Sequence, residues 1–361
     1  FGGGGDSSAL AQLDLRGKGV VLWGKSRGSS RLARRAAQRG ARLILVVNSA
    51  DLKTFERQLK FYRMYLRRPR TTLSQAGQPA IFFLPPERAA HLLGQPVARL
   101  DSLAAVGKGL AQLPSKRMRY RIEAKGEVVE TENVAAWLPG TEQPERVLVI
   151  TAHYDHLGEK NGKIYYGADD NGSGTAALLE VAEAFGQAWK AGLRPRRSIL
   201  FLALSAEELG LFGSEFYADH EPLFPLNQTV TNLNLDMVGH LDDAHPDNPR
   251  FVSVVGSNWR SSTLHAIHEQ ANAEHVQFEL DYTYNDPEHP ERFFYRSDQY
   301  HFAKHGIPVI FYTSGDHEDY HQPTDTIDRL SFERLLGVTR LVFYTAWKIV
   351  TREDELERDL N

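Results

Sequence analysis

Five short apolar runs constrain this chain more than anything else in it: Arg146–Thr151 (RVLVIT), Ser198–Leu204 (SILFLAL), Thr229–Leu235 (TVTNLNL), Phe251–Val255 (FVSVV) and Pro308–Tyr312 (PVIFY). They are too short for stable helices and rich in β-branched and aromatic residues, so they read as strands. A run that is apolar on both alternating faces belongs in the middle of a sheet covered on both sides. Helical patterns lie between and after them, at Thr175–Ala188 (with Leu178, Leu179, Val181 and Ala182), Ser261–Ala273 and Phe332–Thr351. Tyr120–Glu130 and Asn133–Leu138 add two more strand patterns. The alternation predicts an α/β fold, a three-layer α/β/α sandwich around a mostly parallel, mixed central sheet.

The first third reads differently. Gly19–Trp23, Ala41–Val47 and Ala80–Leu84 are strand patterns; Ser29–Gly40, Lys53–Arg68 and Pro86–Leu93 are helical ones, the second stopped by Pro69. Phe1–Ser8 is Gly- and Ser-rich and shows no signal-peptide pattern. We therefore expect a small α/β domain over residues 1–115 and a larger domain over 116–361. Charge divides the same way. Residues 1–115 hold 19 Lys and Arg against 6 Asp and Glu, a net of +13; the rest holds 23 against 40, a net of −17. An acidic half suits metal cations and cationic substrate ends. The basic half carries no aromatic-interleaved or zinc-finger pattern, so nucleic acid is not an expected partner. No apolar run reaches the ~18 residues that a membrane helix needs. Cysteine is absent, which excludes a disulfide framework, a thiolate metal site and a Cys nucleophile. Any metal falls to His, Asp and Glu.

Those residues gather where the strand patterns end, the edge at which open α/β sheets bind ligands. His153 and Asp155 follow the first run; Glu207 and Glu208 follow the second; Asp236 follows the third; His321 follows the last. Asp169-Asp170-Asn171-Gly172-Ser173-Gly174 precedes a helix. Singly, each has a bland reading as a cap, a turn or a solvated end. Together, that many carboxylates at one edge call for a compensating cation. Imidazole with carboxylate and no thiolate suits Zn²⁺ or a related divalent ion. There are more ligands than one tetrahedral zinc uses, which suggests two metals sharing a carboxylate.

At this point the sequence resembles the two-zinc exopeptidases that include secreted bacterial leucine aminopeptidases, glutamate carboxypeptidase and the glutaminyl cyclases. The matching segments are TAHYDHLG (151–158), GADDNGSGTAALLE (167–180), SAEELGLFGS (205–214), LNLDMVG (233–239), RSDQYHFAKHGIPVIFY (296–312) and DYHQPTDT (319–326). The resemblance implies two Zn²⁺ per chain. One is bound by His153, Asp170 and Asp236, the other by Asp170, Glu208 and His321, with Asp170 bridging. It implies Glu207 as the general base and Tyr320 as the donor to the tetrahedral oxyanion. Asp155 would orient His153 and set its tautomer. Asp170 is preferred to Asp169 because its spacing to Gly174 matches, though Asp169 stays open. The implied activity is hydrolysis of N-terminal residues from peptides with a free N-terminus. Export from the cytoplasm is implied by the resemblance alone. Residues 1–115 resemble, more loosely, the protease-associated domain that accompanies such enzymes, with Leu15–Leu22 and Gly40–Ile44 as its strand motifs.

Several rivals are weaker. His317-Glu318-Asp319-Tyr320-His321 fits H-E-x-x-H, but Gly315 and Pro323 leave barely a helical turn for it. No G-x-S-x-G elbow is present, which disfavours a serine hydrolase. A single-zinc glutaminyl cyclase resembles the chain at Asp170, Glu208 and His321, whereas His153 followed by Asp155 favours two metals. A carboxypeptidase specificity is left open by the ligand set. An inactive binding module of the same fold is the reading from another class; the complete ligand set argues against it. Arg296-Ser297-Asp298 reads equally as pocket segment or as a turn whose Asp caps a helix over Gln299–Lys304. Trp259, Phe293, Phe294 and Tyr295 read as core or loop aromatics ahead of pocket lining.

Overall fold

The computed structural model describes residues 14–24, 29–56, 58–59, 79–106, 113, 117–121, 128–286 and 288–360. The chain divides into two compact units, Phe1–Glu127 and Val128–Asn361. The division falls later than residue 115, and the Tyr120 hydroxyl donates to the Arg42 carbonyl (3.0 Å), tying that segment to the first unit.

The first unit holds a three-stranded parallel sheet of β1 (Gly19–Trp23), β2 (Leu43–Val47) and β3 (Ala80–Phe83), with β2 in the middle. Its helices are α1 (Ser29–Gln38), α2 (Pro86–Leu93) and α3 (Val97–Val106). α2 starts with Pro86 in its first turn and stops at Gly94, whose φ of 66° suits the residue without a Cβ. α3 is absent from the reading of the sequence, where its mixed pattern gave no clear period. Trp23 Nε1 donates to Asp101 in α3 (2.9 Å), and Leu100 and Ala104 bury against Trp23 and Val47. Residues 52–56 are helical; the rest of the Lys53–Arg68 helix pattern falls largely outside the described residues, as does Phe1–Ser8. Of Tyr120–Glu130, residues 120–121 and 128–130 form no strand, and 122–127 lie outside the described residues.

The second unit is built on a seven-stranded mixed sheet. In chain order its strands are β4 (Val134–Leu138), β5 (Gln143–His153), β8 (Arg197–Leu204), β9 (Thr229–Leu235), β10 (Phe251–Val255), β11 (Glu279–Asp281) and β12 (Val309–Thr313). A small hairpin, β6 (Gly158–Lys160) and β7 (Lys163–Tyr165), stands apart from them. The spatial order is β11-β10-β12-β9-β5-β8-β4. The four central strands β12, β9, β5 and β8 are mutually parallel; β4 and β10 pair antiparallel to them. Ile150 at the centre faces Phe201 on one side and Leu233 on the other.

Period-two alternation sends Leu148, Ile150 and Ala152 to one face and Val147 and Val149 to the other. On the first face lie α4 (Gly174–Lys190), α6 (Ser262–Ala271) and α8 (Phe332–Thr351), which contribute Val181, Phe185, Leu264, Leu341 and Ile349 to the main core. α5 (Phe212–Glu215) comes between β8 and β9, and the turn after it carries Tyr217. On the second face, Tyr217 and α7 (Gln299–Ala303) close a smaller core through Phe302 and Ala303. Helices on both faces of a largely parallel sheet make the three layers that the apolar pattern predicts. α6 and α8 start on serines, Ser261 and Ser331, whose hydroxyls accept the Leu264 and Arg334 amides. Among the described residues, no helix is long and apolar enough to cross a membrane.

Candidate active site

Because β8, β5, β9 and β12 are neighbours and parallel, their carboxyl ends open onto one edge. His153 closes β5, Glu207 and Glu208 lie just past β8, Asp236 follows β9, and Tyr320 and His321 sit on the loop beyond β12. Asp169 and Asp170 lie on an irregular turn over Ala168–Ser173 that leads into α4, with a cis peptide bond between Asp170 and Asn171. The loops bend sharply. Ala206, Met237 and His321 each hold a positive φ of 56–60°, a conformation that costs non-glycine residues of order 1 kcal/mol and gathers at functional sites.

The side chains form two adjoining groups. In the first, His153 Nε2 lies 3.3 Å from Asp236 Oδ1, 3.4 Å from Asp170 Oδ1 and 4.0 Å from Glu207 Oε2. In the second, His321 Nε2 lies 3.1 Å from both Asp170 Oδ2 and Glu208 Oε2. Asp170 thus offers one oxygen to each group. His156, to which the reading of the sequence gave no role, joins the second: its Nδ1 is 2.8 Å from Glu208 Oε1. Asp170, Glu207, Asp236, Tyr320 and His321 open onto one small cleft, lined further by Met237, Phe293, Arg296, Phe311, Thr313 and Asp316.

Electrostatics follows from burying so many acids. Burial is the largest cause that raises the Glu207 carboxyl well above the usual range; His153 opposes the rise, and Asp236, Asp298 and Glu208 add to it. Burial also opposes charge on Asp170 and Glu208, but His153 and His321 hold Asp170 below the usual carboxylate range, and His156 and His321 hold Glu208 low. Reciprocally, burial opposes protonation of His321, yet Asp170 and Glu208 lift it to about 9. His153 is lifted well above 6.5 by Asp236, Asp155 and Asp170 despite its burial. Protons on histidines here offset carboxylate charge, which is the task a bound cation takes over.

A shell of hydrogen bonds fixes these groups. The Asp325 carboxylate accepts the amides of Asp169 (2.8 Å) and Asp170 (3.1 Å). Asn171 ties the turn to the β9 end, donating to the Leu235 carbonyl and accepting the Gly174 and Met237 amides. Gly174 has no room for a side chain: a Cβ would fall 2.3 Å from Asn171 Oδ1 and 2.4 Å from the Leu235 carbonyl. Ser297 donates to Asp236 Oδ2 (2.6 Å) and accepts from Asn234, which in turn accepts from Thr151. Asp169 is turned inward. Its oxygens accept the Gly239 and His240 amides and His317 Nε2–H, so it is fully occupied away from Asp170.

Other expectations are refined. The Asp155 carboxylate is 3.7 Å from His153 Nδ1; it is the Asp155 backbone carbonyl that accepts from Nδ1 (3.1 Å). The carboxylate accepts the Glu207 and Glu208 amides instead. His317 lies in no helix. It is buried in a turn, its ring stacked on His240 at 3.8 Å, so no helix carries the H-E-x-x-H spacing. Asp298 makes no cap bond to α7; it is fully buried, and burial pushes its carboxyl up to about 7. Arg296 forms a two-bonded pair with Asp316 (3.0 and 2.8 Å), its guanidinium over the Tyr320 ring. Phe293 lines the cleft, whereas Trp259 and Phe294 stack on each other.

The donor chemistry fits a divalent cation. Separations of 3.1–3.4 Å among His153, Asp170, Asp236, Glu208 and His321 atoms match the edge, about 3.4 Å, of a tetrahedron with zinc-like bonds of about 2.1 Å. Both ring nitrogens of His156 and Glu208 Oε1 are buried without a hydrogen bond.

Fold and site define the class: an α/β/α sandwich whose sheet edge holds a cleft of imidazole and carboxylate donors. The chain belongs to peptidase family M28, whose sequence profile matches residues 133–346. Aminopeptidase YwaD of Bacillus subtilis is 31% identical over 218 residues, covering 57% of this chain and 42% of that protein. The uncharacterized protein YfbL of Escherichia coli is 29% identical over 214 residues, covering 53% and 64%. The chain thus spans less than two thirds of either relative. A zinc aminopeptidase structure from Bacillus subtilis aligns over 96% of this chain and 74% of that one, with a TM-score of 0.50 and 21% identity, a likeness of fold.

Proposed function

We propose that this chain is a zinc-dependent aminopeptidase that removes N-terminal residues from peptides. Its two metal positions would be His153, Asp170 and Asp236, and Asp170, Glu208 and His321. The observation that carries this is the division of Asp170, Oδ1 toward His153 and Oδ2 toward His321, as a bridging carboxylate requires. The likeness to an aminopeptidase of Bacillus subtilis supports the amino-terminal choice. Zinc ions held by these residues would supply Lewis acidity and lower the pKa of water in the cleft.

The protein's own groups do the rest. Glu207 Oε2 faces the cleft beside His153 and takes the proton from the attacking water; burial favours its holding that proton until the leaving amine receives it. The Tyr320 hydroxyl donates to the oxygen that gains charge at the scissile carbonyl. Acidic groups at the cleft attract the substrate's α-ammonium. Phe293, Phe311 and Met237 offer an apolar wall to its first side chain. The same proposal assigns the first unit, expected over residues 1–115 and extending to Glu127, to a protease-associated-like domain, the second unit, from Val128, to catalysis, and the protein to an exported compartment, testable by cell fractionation.

The test combines metal content by mass spectrometry with turnover of free-amine and N-acetylated peptides. We expect two zinc ions per chain and hydrolysis of the free-amine peptide alone. Glu207→Gln is expected to lower kcat by about 10²-fold or more while both ions stay bound. Loss of metal along with activity in that variant overturns the role of Glu207. One ion per chain moves the reading to a single-zinc cyclase, and none to an inactive binding module.

A further inference from the structure

We propose that His156 is a fourth protein ligand of the second metal position, beside Asp170, Glu208 and His321, and that it makes this position the first to fill. The proposal rests on the two-metal reading above, which assigns three ligands to each position and nothing to His156.

His156 follows β5 by three residues, past the point where His153 enters the first group. Its side chain is 9% exposed. Nδ1 stands 2.8 Å from Glu208 Oε1 and 3.8 Å from Asp170 Oδ2, and its ring meets that of His321 edge-on, with centroids 5.9 Å apart. His156, Asp170 and Glu208 each present a donor atom within 4.8 Å of the others. A nitrogen this close to a carboxylate oxygen ordinarily shares a proton with it. Here neither ring nitrogen nor Glu208 Oε1 meets hydrogen-bond geometry. Nδ1 and Oε1 thus meet as an ion pair without hydrogen-bond geometry, and Nε2 has no hydrogen bond; a shared cation would satisfy the ring and the carboxylate at once.

The backbone is moulded to this ring. Gly167 holds a φ of 63°, and a Cβ there would fall 2.5 Å from His156 Cγ. Only a residue without a side chain lets the Ala168–Ser173 turn close over the imidazole and still bring Asp170 to it.

The two positions then differ in kind. The first offers one imidazole, His153, with Asp170 and Asp236. The second offers two imidazoles, His156 and His321, with Asp170 and Glu208. Imidazole favours zinc and the later first-row ions over harder cations, so the second position binds them more tightly.

The experiment titrates the metal-free full chain with Zn²⁺ against a chromophoric chelator, and separately with Co²⁺ by its visible absorption. The expected wild-type result is two resolved steps. His156→Ala weakens the tighter step by about 100-fold, leaves the other within threefold, and alters the Co²⁺ band of the first ion bound. His156→Gln keeps a group able to donate to Glu208 but removes the imidazole. It is expected to behave like the alanine variant, and it carries the test if that variant does not fold. A wild-type chain that takes up fewer than two ions overturns the two-metal reading and this proposal with it. Two ions in wild type with both steps unchanged in His156→Ala, or recovery of the tighter step in His156→Gln, overturns the ligand role of His156 alone.

Discussion

Asp169 and Asp170 are the same residue side by side, and the fold gives them opposite tasks. Asp170 faces the two imidazole groups of the cleft; Asp169 faces inward and binds the backbone beyond Asp236 and the His317 ring. Their positions depend on Asp325, which accepts both their amides. An asparagine there keeps one acceptor and turns an amide donor toward an N–H. We expect Asp325→Asn to cost about 1–3 kcal/mol in urea unfolding and to weaken zinc uptake about tenfold. Unfolding and zinc titration curves that overlay those of wild type would sink this account. Spacing to Gly174 was enough to prefer Asp170 in the sequence. His156 stood inside the quoted TAHYDHLG segment, yet nothing local told which way the chain turns after His153, so its approach to Glu208 was hidden.

Elements interlock through buried cations as well as apolar faces. Arg197 opens β8 with no exposed surface, and its guanidinium donates to the carbonyls of Ile349, Arg352, Glu353 and Asp354. These are the carbonyls at and beyond the end of α8 that a helix leaves without intrahelical partners. The strand thereby caps the helix, and its positive charge lies at the negative end of the helix dipole. Arg197→Leu keeps the apolar stem and strands those acceptors. It should destabilise the second unit by about 3 kcal/mol or more, read as a lower urea midpoint with an unchanged slope. A shift under about 1 kcal/mol would mean that water caps α8 equally well. Strands β5, β8, β9, β10 and β12 and helices α4, α6 and α8 were legible from their periods. α3 and the three-residue strands β6, β7 and β11 were not, because so few residues carry no period and their place comes from what they pack against.

At the scale of the molecule, each apolar cluster among the described residues draws on one unit alone. The main cluster of the second unit encloses a titratable group. His268 is fully buried beside Tyr312, and burial pushes its imidazole down to about 3. The unfolded chain binds that proton near 6.5, so between these values unfolding takes up a proton that the folded protein refuses. Stability is therefore complete above about pH 6.5 and is lost as pH falls toward 3, by up to about 1.4 kcal/mol per pH unit from this group. His268→Gln does not titrate. Denaturant unfolding at pH 6, 5 and 4 should show a slope shallower than wild type by about that amount. Parallel slopes would show that His268 is protonated in the folded core.

What the sequence determined by itself is local: which runs are strands, where α2, α4, α6 and α8 lie, and which acids and imidazoles follow each strand. These are set by backbone sterics, side-chain branching and the period of apolar residues, all acting within a few positions. Tertiary structure decided the rest. It placed β9 and β8 on either side of β5, giving the Asp170 oxygens to two different histidines. It passed the anchoring of Glu207 and Glu208 to Asp155, turned Asp169 inward and brought His156 to Glu208. Such meetings join residues far apart in the chain, as Asp169 and Asp325 are at 156 positions. They follow from how helices cover a twisted sheet, a property of the whole core that no window of sequence contains.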